Sequence, residues 1–274
     1  MESFFTFLER RVDDSSSLLC VGLDPHVNDL PAPTAEAALD FCLNLVKQTA
    51  SYAAAFKPNA AFFEQFGAEG WGALKQVVAA IAVESARRGS MIPVILDAKR
   101  GDISSTAEAY AASAFETLGV HCITLSPYLG KDSIDPFIAN HEKGIFLLCK
   151  TSNPGAGDLQ DLKIAGGRSM YLYEHVAMLA QQWNTKNNIG LVVGATQLEA
   201  LGRVRLAAPD LWFLAPGVGA QGGDLEAALQ AGLRKDGKGM LIPVSRGISR
   251  AESPAKAAAE LRDQIMYIQY ALKK

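Results

Sequence analysis

The stretch IPVILDAKRGDISSTAEAY, residues 92–110, contains the pattern on which the fold prediction depends. An apolar run ends in a group of charged residues, and a segment rich in alanine follows at once. The charged residues are Asp97, Lys99, Arg100 and Asp102. This order predicts a buried strand, a polar turn and then a helix. The question is why a buried strand should end in four charged residues, and the rest of the sequence bears on the answer.

Similar apolar runs recur along the chain, with alanine- and leucine-rich segments between them. The runs are residues 18–23, 53–58, 92–97, 121–126, 145–150, 189–194, 211–216 and 240–245. Continuous apolarity is typical of parallel strands that are covered on both faces. Repeated strand–helix units, without a GxGxxG turn after the first strand, predict an α/β fold, the (β/α)8 TIM barrel. Because no linker-like stretch interrupts the chain, residues 1–274 are expected to form a single domain.

Residues that favour helix ends mark several of the intervening segments. Thr34 and either Ser105 or Thr106 are expected to be N-caps, since a hydroxyl can accept a hydrogen bond from a free backbone N–H group. Gly89 and Gly119 are expected to end two helices, because glycine tolerates the left-handed conformation that follows a last turn.

The composition excludes several classes of protein. The chain has 274 residues, of which 49% are hydrophobic and 20% charged, and its formal net charge is -3. These values indicate a soluble globular protein and give no basic excess for nucleic acid. Four separated cysteines without a CxxC pair are expected to be buried free thiols in a reducing compartment. Since no run reaches membrane-spanning length and no signal-peptide core is present, we expect a cytoplasmic protein without a membrane partner.

Charged and glycine-rich segments follow most of the predicted strands. In a (β/α)8 barrel the C-terminal ends of the strands form the reaction site. The segments include Asp24 after the first strand, Lys57 at the end of the second, GVGAQGGD (217–224) after the seventh and SRGI (245–248) after the eighth. A glycine-rich loop and an arginine on adjacent strand ends favour phosphate binding.

The charges of the third strand are too many for a simple structural role. Residues two apart on a strand face the same side, so Asp97 and Lys99 are expected at the barrel mouth and Arg100 away from it. An isolated Asp-x-Lys pair would favour a structural ion pair. Asp102 and Lys57 add further charge, and removing several charges from water costs several kcal/mol each unless they are well paired. The cluster therefore favours catalysis.

The segment DAKRGDI (97–103) resembles the Asp-x-Lys-x-x-Asp-Ile signature of the orotidine 5′-phosphate decarboxylase family. The resemblance extends over nearly the whole chain, and the KRGDISSTAEAY wording is similar to the longer bacterial branch. It is carried also by CVGLDP (20–25), FKPN (56–59), KTSNPGA (150–156), PGVGAQGGD (216–224) and SRGI (245–248). The resemblance implies decarboxylation of orotidine 5′-monophosphate to uridine 5′-monophosphate (UMP) and CO2, the last step of de novo UMP synthesis, without a cofactor or a metal.

The resemblance also implies catalytic roles. Lys99 would stabilise the carbanion at C6 of the pyrimidine and protonate it, and Asp97 would lie against the substrate carboxylate. Asp102 and Thr106 would be supplied to the site of the neighbouring subunit in a homodimer. Lys57 would complete the array of alternating charges.

Four further residues are implied to bind the substrate. Asp24 would bind the ribose hydroxyl groups, and Ser152 would bind the amide edge of the pyrimidine. Gln221 and Arg246 would hold the phosphate. By contrast, the four histidines, His26, His121, His141 and His175, are scattered and are expected to be structural or exposed, which argues against a zinc site.

Two alternatives stay open from the sequence. The first is a magnesium-dependent sugar-phosphate decarboxylase or aldolase, similar to 3-keto-L-gulonate 6-phosphate decarboxylase or hexulose phosphate synthase. Those enzymes present a carboxylate at the end of the second strand, where this chain has Lys57. The second alternative is a non-catalytic sensor of a phosphorylated ligand, although loss of the lysine or of an aspartate would be expected in such a protein.

Overall fold

A computed structural model of the chain describes residues 2–164, 169–218 and 223–272. Within these ranges the strands are β1 (Leu19–Leu23), β2 (Ala55–Pro58), β3 (Ile95–Arg100), β4 (Cys122–Leu125), β5 (Gly144–Lys150), β6 (Lys163–Ile164), β7 (Met170–Tyr171), β8 (Ile189–Val193), β9 (Phe213–Leu214) and β10 (Met240–Val244). Each of the eight predicted apolar runs overlaps a strand, so that prediction is confirmed. The short strands β6 and β7 form a separate antiparallel hairpin that the sequence pattern did not predict.

The eight strands other than β6 and β7 are parallel and nearly close a barrel. Their order in the sheet is β2, β1, β10, β9, β8, β5, β4 and β3. Two isolated parallel bridges, Phe56 with Val94 and Asn59 with Asp97, join β2 to β3 at the remaining gap. The predicted (β/α)8 TIM barrel is therefore confirmed, and the carboxyl ends of all eight strands meet at one mouth.

Helices alternate with the barrel strands and cover their outer faces. They are α1 (Phe4–Ser15), α2 (Ala35–Thr49), α3 (Ala61–Glu64), α4 (Gly67–Arg88), α5 (Ser104–Ala112), α6 (Asp135–Ile138), α7 (Leu172–Trp183), α8 (Leu198–Ala207), α9 (Leu225–Gly232), α10 (Arg246–Ser249) and α11 (Pro254–Leu272). A π-helical turn at Ser113–Thr117 continues α5. The strands and the inner faces of the helices share one hydrophobic core.

Most of the predicted helix ends are confirmed. The hydroxyl of Thr34 accepts a hydrogen bond from the N–H group of Ala37 at 3.2 Å, as expected of an N-cap. Gly89 ends α4 with φ 64°, and Gly119 follows the π-helical turn with φ 75°. Both glycines adopt the left-handed conformation that side chains disfavour.

The predicted start of α5 is wrong. The helix begins at Ser104 and its N-cap is Ile103, without a side-chain capping bond, so neither Ser105 nor Thr106 is the N-cap. Just before the helix, a carboxylate oxygen of Asp102 accepts a hydrogen bond from the N–H group of Ile103 at 2.8 Å. Ser104 adopts the left-handed φ 51° at the first position of α5, so the helix starts before the two later hydroxyl residues.

The helix α1 closes the end of the barrel opposite the mouth. Phe4 and Phe5 are fully buried, and the Phe5 ring packs edge-on against Phe146 and face-to-face with Trp212. A Cβ atom at Gly144 would come within 2.1 Å of the Phe4 ring, so only glycine allows this approach at the start of β5. The mouth is therefore the end of the barrel that a substrate can use.

All four cysteines are buried and free, as predicted from their spacing. Burial raises the pKa of the Cys20 thiol to about 12, so this group is held as an unreactive thiol. In the described parts of the chain, no helix combines the length and the apolarity that a membrane crossing requires.

The partly buried ring of His121 is expected to make stability depend on pH. Its Nδ1 atom accepts the N–H group of Val94 at 3.1 Å, and burial, followed by the nearby Lys143, lowers the pKa of His121 to about 4. The neutral ring is therefore stabilising above pH 6.5, and this contribution is lost as the pH falls towards 4. We expect the free energy of unfolding in urea to fall by about 1 kcal/mol more in the wild type than in His121→Asn between pH 7 and pH 5. The Asn Oδ1 atom can accept the same hydrogen bond without titrating, so equal slopes in the two proteins would contradict the assignment.

Candidate active site

A cavity of about 350 Å³ lies at the mouth of the barrel. Its walls come from the ends of β1, β2, β3, β9 and β10 and include Asp24, Lys57, Asp97 and Arg246. The volume lies within the range of small-molecule sites. A larger hollow of about 680 Å³ beside α5 and α6 is lined by helix and loop residues of the outer surface. We place the candidate site at the mouth, because charged side chains from several strands converge there.

The carboxylate of Asp97 is the centre of the cluster. Its Oδ2 atom accepts Nζ of Lys57 at 2.8 Å, and its Oδ1 atom accepts Nζ of Lys99 at 2.5 Å. The hydroxyl of Thr124 donates to the same Oδ1 atom at 3.1 Å. One carboxylate thus lies between two ammonium groups, one buried and one at the surface of the mouth.

The three charged side chains differ in their exposure to solvent. The side chains of Lys57 and Asp97 are 9% and 12% exposed, whereas that of Lys99 is 50% exposed. Burial alone would raise the pKa of Asp97, but the charges of Lys57 and then Lys99 outweigh it and hold the pKa well below its ordinary value. Burial alone would lower the pKa of Lys57, but Asp97 and Asp24 raise it above its ordinary value. Both buried groups therefore stay charged at neutral pH.

The backbone that carries Asp97 and Lys99 is not a regular strand. Leu96 pairs with Ile123 and Arg100 with Leu125, so three residues of β3 lie opposite a single residue of β4. Lys99 adopts φ 47°, a left-handed conformation that costs on the order of 1 kcal/mol in a residue with a side chain. A bulge of this kind changes the direction of a side chain. Asp97 and Lys99 lie together in an ion pair, but the strand alternation used to predict a shared side is interrupted by the bulge, and only Asp97 lines the cavity.

Arg100 points away from the mouth, as predicted. Its guanidinium group forms an ion pair with Glu64 on α3 and lies over the ring of Tyr110 on α5, 5.0 Å from the ring centroid. This residue of the DAKRGDI segment therefore ties β3 to two helices and takes no part in the cavity.

Two buried oxygen atoms at the cavity have no hydrogen-bond partner among the described residues. They are Oδ1 of Asp24, after β1, and Oγ of Ser245, after β10. Since buried polar atoms are almost always paired, these two atoms favour a ligand that supplies hydroxyl or amide groups. Both residues line the cavity; Asp24 was among the residues predicted from the sequence, and Ser245 was not.

The two described ends of the segment between β9 and α9 meet at Gly217 and Gly223. The N–H group of Gly223 donates to the carbonyl of Gly217 at 3.1 Å, and a Cβ atom at Gly223 would come within 2.7 Å of that oxygen. Gly217, with φ 115°, and Arg246 both line the cavity. Among the described residues, Arg246 has no ion-pair partner. The predicted Gln221 lies outside the described residues.

Four predicted residues do not line the cavity of this single chain, as far as the described residues define it: Lys99, Asp102, Thr106 and Ser152. Ser152 follows β5 and lies beside Gly194, where an added Cβ atom would be 3.3 Å from the Ser152 Cβ. Thr106 is exposed on α5. The carboxylate of Asp102 is bonded to the N–H group of Ile103 and makes no ion pair with Lys99 among the described groups.

Comparison with known protein families covers the residues of this site. A family model described as "Orotidine 5'-phosphate decarboxylase / HUMPS family" matches residues 17–261. The chain belongs to this family. The resemblance read from DAKRGDI is therefore confirmed, and the signature lies inside the matched range.

Members of the orotidine 5′-phosphate decarboxylase family are similar to the chain in sequence and in structure. A protein of that name from Roseiflexus castenholzii is 48% identical over 264 residues, covering 95% of this chain and 93% of the relative. The solved structure of Leishmania donovani OMP decarboxylase is 55% identical with a TM-score of 0.88, covering 98% and 99% of the two chains. Leishmania donovani UMP synthase is 56% identical with a TM-score of 0.90, and the chain spans 57% of its length.

Family membership weakens the magnesium-dependent alternative without removing it, because the family description also includes the HUMPS branch. The relatives named above carry decarboxylase or UMP synthase names. In addition, the end of β2 presents the ammonium of Lys57, which is paired with Asp97 and would repel a divalent cation. No group of three His, Cys, Asp or Glu side chains suited to a metal ion occurs in the described ranges.

The sequence patterns missed several residues around the site. His26 lines the cavity with its ring 4.3 Å from that of Phe62, so the prediction that all histidines are structural or exposed overlooks one. Asn59 lines the cavity beside its bridge to Asp97. Thr124 lies in an apolar run and gave no signal of its own. His26 and Asn59 follow strands closely, so a fuller reading of strand ends could have found them.

The segment after β5 is attached to the end of that strand by two partly buried contacts. Nζ of Lys150 donates to Asp161 at 2.7 Å, and the Lys150 side chain is almost fully buried. The side-chain oxygen of Gln160 accepts the N–H group of Thr151 at 2.8 Å. These contacts fix the backbone on either side of the short helical turn Pro154–Asp158, next to Ser152.

Proposed function

We propose that this protein decarboxylates orotidine 5′-monophosphate to UMP and CO2 without a cofactor, the last step of de novo UMP synthesis. The observation that carries the proposal is the ionised Asp97 held between Lys57 and Lys99 at the mouth of a barrel of this family. The reaction leaves an electron pair on a ring carbon with no adjacent carbonyl group to delocalise it. A fixed positive charge beside that carbon is what the site can supply.

In the proposed mechanism, Lys99 is the catalytic acid. The bond between C6 and the carboxylate carbon breaks, CO2 leaves, and the electron pair stays on C6. The ammonium of Lys99 stabilises this charge and then transfers a proton to C6, so that the neutral amine recovers its proton from solvent. Preorganised charge directed at developing charge is the largest catalytic contribution in many enzymes. The half-exposed Lys99 can both reach a substrate and exchange protons with water.

Asp97 and Lys57 are proposed to fix the charges around the reacting carbon. Because the pKa of Asp97 is held low, its carboxylate stays ionised when the substrate carboxylate lies beside it. Lys57 balances this negative charge from the buried side and prevents Asp97 from taking up a proton. Asp97 would then be available to hold the Lys99 ammonium after CO2 has left.

The remaining predicted residues are proposed to hold the nucleotide. Asp24, with its unpaired oxygen, would bind the ribose hydroxyl groups, and Ser152 would bind the amide edge of the pyrimidine. Arg246 and Gln221 would hold the phosphate beside the glycine-rich loop. Binding energy from the remote phosphate can orient the base against Lys99.

A homodimer is proposed to complete the site. In one chain Asp102 makes no ion pair within the described residues, and Thr106 is exposed, as expected of groups that serve a neighbouring subunit. Ile103, Tyr128 and Leu129 are 50%, 80% and 45% exposed. Apolar side chains so exposed at the mouth favour burial against a second copy.

The extent and the location of the enzyme are part of the same proposal. Residues 1–274 are proposed to form one catalytic domain, since one core cluster joins the strands and helices of the described ranges. A cytoplasmic location is proposed because four buried free thiols suit a reducing compartment.

The test is the fall in pyrimidine absorbance when the protein is mixed with orotidine 5′-monophosphate, with and without a chelator of divalent ions. We expect turnover that the chelator leaves unchanged. Turnover that the chelator removes would favour the magnesium-dependent alternative. Binding of UMP without any absorbance change on mixing with substrate would favour the sensor.

A further inference from the structure

The bulge in β3 leaves two backbone N–H groups, those of Ala98 and Lys99, without a backbone partner in the neighbouring strand β4. Asp97, Ala98 and Lys99 lie opposite Thr124 alone, so the regular ladder between β3 and β4 is interrupted there. An unpaired N–H group in such a place is costly. The two N–H groups therefore need an acceptor other than the backbone of β4.

The hydroxyl of Thr124 is that acceptor. Its oxygen accepts the N–H group of Ala98 at 3.0 Å and the N–H group of Lys99 at 2.9 Å. It also donates its proton to Oδ1 of Asp97 at 3.1 Å, the same oxygen that accepts Nζ of Lys99. A hydroxyl has one proton and two lone pairs, so every bond that it can make is used.

These bonds fix the direction of the Lys99 side chain at both of its ends. The hydrogen bond from the Lys99 N–H group to Thr124 holds the Lys99 backbone at φ 47°. The hydrogen bond from Thr124 to Asp97 orients the carboxylate that accepts the Lys99 amine. Thr124 is itself 1% exposed in the core of the barrel. A side chain so confined can hold its partners to a narrow range of positions.

We propose that Thr124 is a positioning residue for Lys99 and Asp97, and this inference rests on the proposed decarboxylase function. Its hydroxyl keeps the bulge in the conformation that directs the Lys99 amine towards the reacting carbon. Thr124 acts through these two residues and its effect is on the chemical step.

The decisive variant is Thr124→Val, which keeps the branched shape and removes the hydroxyl. We expect kcat to fall by about 10²-fold, the effect of a displacement of about 1 Å at a reacting group. KM and the affinity for UMP are expected to change by less than about threefold, because the phosphate and ribose contacts are unchanged. Thr124→Ser, which keeps the hydroxyl, is expected to restore most of kcat.

Thr49→Val is the matched control. Thr49 is also fully buried, and its hydroxyl donates to the carbonyl of Leu45 within α2, away from the mouth. The control is expected to leave kcat unchanged. A crystal structure of Thr124→Val adds a measurement that does not depend on activity, and we expect Lys99 to leave φ 47° in it.

Each outcome decides between the two proposals. If wild-type protein does not turn over orotidine 5′-monophosphate, the proposed function is wrong. If it does, and Thr124→Val is as fast or loses kcat no more than Thr124→Ser, the positioning role is wrong. If Thr124→Val and Thr124→Ala both fail to fold, or if KM rises while kcat is kept, Thr124 serves the fold or ligand binding and the positioning role is likewise overturned.

Discussion

Replacing Lys99 by alanine is expected to lower kcat for decarboxylation by at least about 10⁴-fold, the combined size of a lost proton donor and a lost stabilising charge. The affinity for UMP is expected to persist, because the contacts proposed for phosphate and ribose lie on other strand ends. Asp97 keeps its buried partner Lys57, so the variant is expected to fold. The measurements are turnover by absorbance and UMP binding by calorimetry.

Lys131→Ala is a close control for this variant. The Lys131 side chain is 50% exposed and pairs with Asp135 at 2.5 Å, as Lys99 does with Asp97, but Asp135 does not line the cavity at the mouth, whereas Asp97 does. Its removal is expected to leave turnover unchanged. Near-normal turnover in Lys99→Ala would remove Lys99 from the role of proton donor.

Mixing two inactive variants, Lys99→Ala and Asp102→Ala, is expected to restore about a quarter of wild-type activity per site after complete exchange of subunits. A hybrid dimer combines Lys99 of one subunit with Asp102 of the other at one of its two sites. Half of the dimers in an equal mixture are hybrids, and each has one intact site. The measurement is turnover against time after mixing, with subunit exchange followed by native mass spectrometry.

The control mixture is Lys99→Ala with Asp97→Ala. These two residues belong to the same polypeptide and form an ion pair within it, so no hybrid can contain a complete site. Activity should therefore return in the first mixture and not in the second. A hybrid that forms without recovery in the first mixture would contradict a site shared between subunits.

Most of the barrel was predictable, because strands that are buried on both faces are continuously apolar and the runs are spaced by helical segments. The shorter strands show the limit of this pattern. The run 211–216 predicts a strand, but only Phe213–Leu214 pair as one, since pairing depends on the neighbouring strands as well as on apolarity. The closing helix α1 was not predicted either, because its place depends on contacts with Phe146 and Trp212 far along the chain.

Part of the site was predictable for a different reason. Asp24, Lys57, Asp97 and Arg246 are charged residues at strand ends, and the topology alone brings them to one cavity. The bulge was not predictable, because nothing in the local wording of DAKRGDI specifies that three residues will lie opposite one. The hydroxyl that accepts its two N–H groups belongs to Thr124 on the next strand, which is distant in sequence and lies within an apolar run.

The dependence of the bulge on β4 limits what can be moved from this protein to another. A designer who transplants the Asp-x-Lys-x-x-Asp wording onto the third strand of an unrelated barrel copies the letters without the crossing hydroxyl of Thr124. In such a scaffold the third strand would pair regularly with the fourth, and the lysine amine would point in another direction. The smallest segment that can be transferred with its geometry is therefore a pair of adjacent strands, the equivalents of β3 and β4.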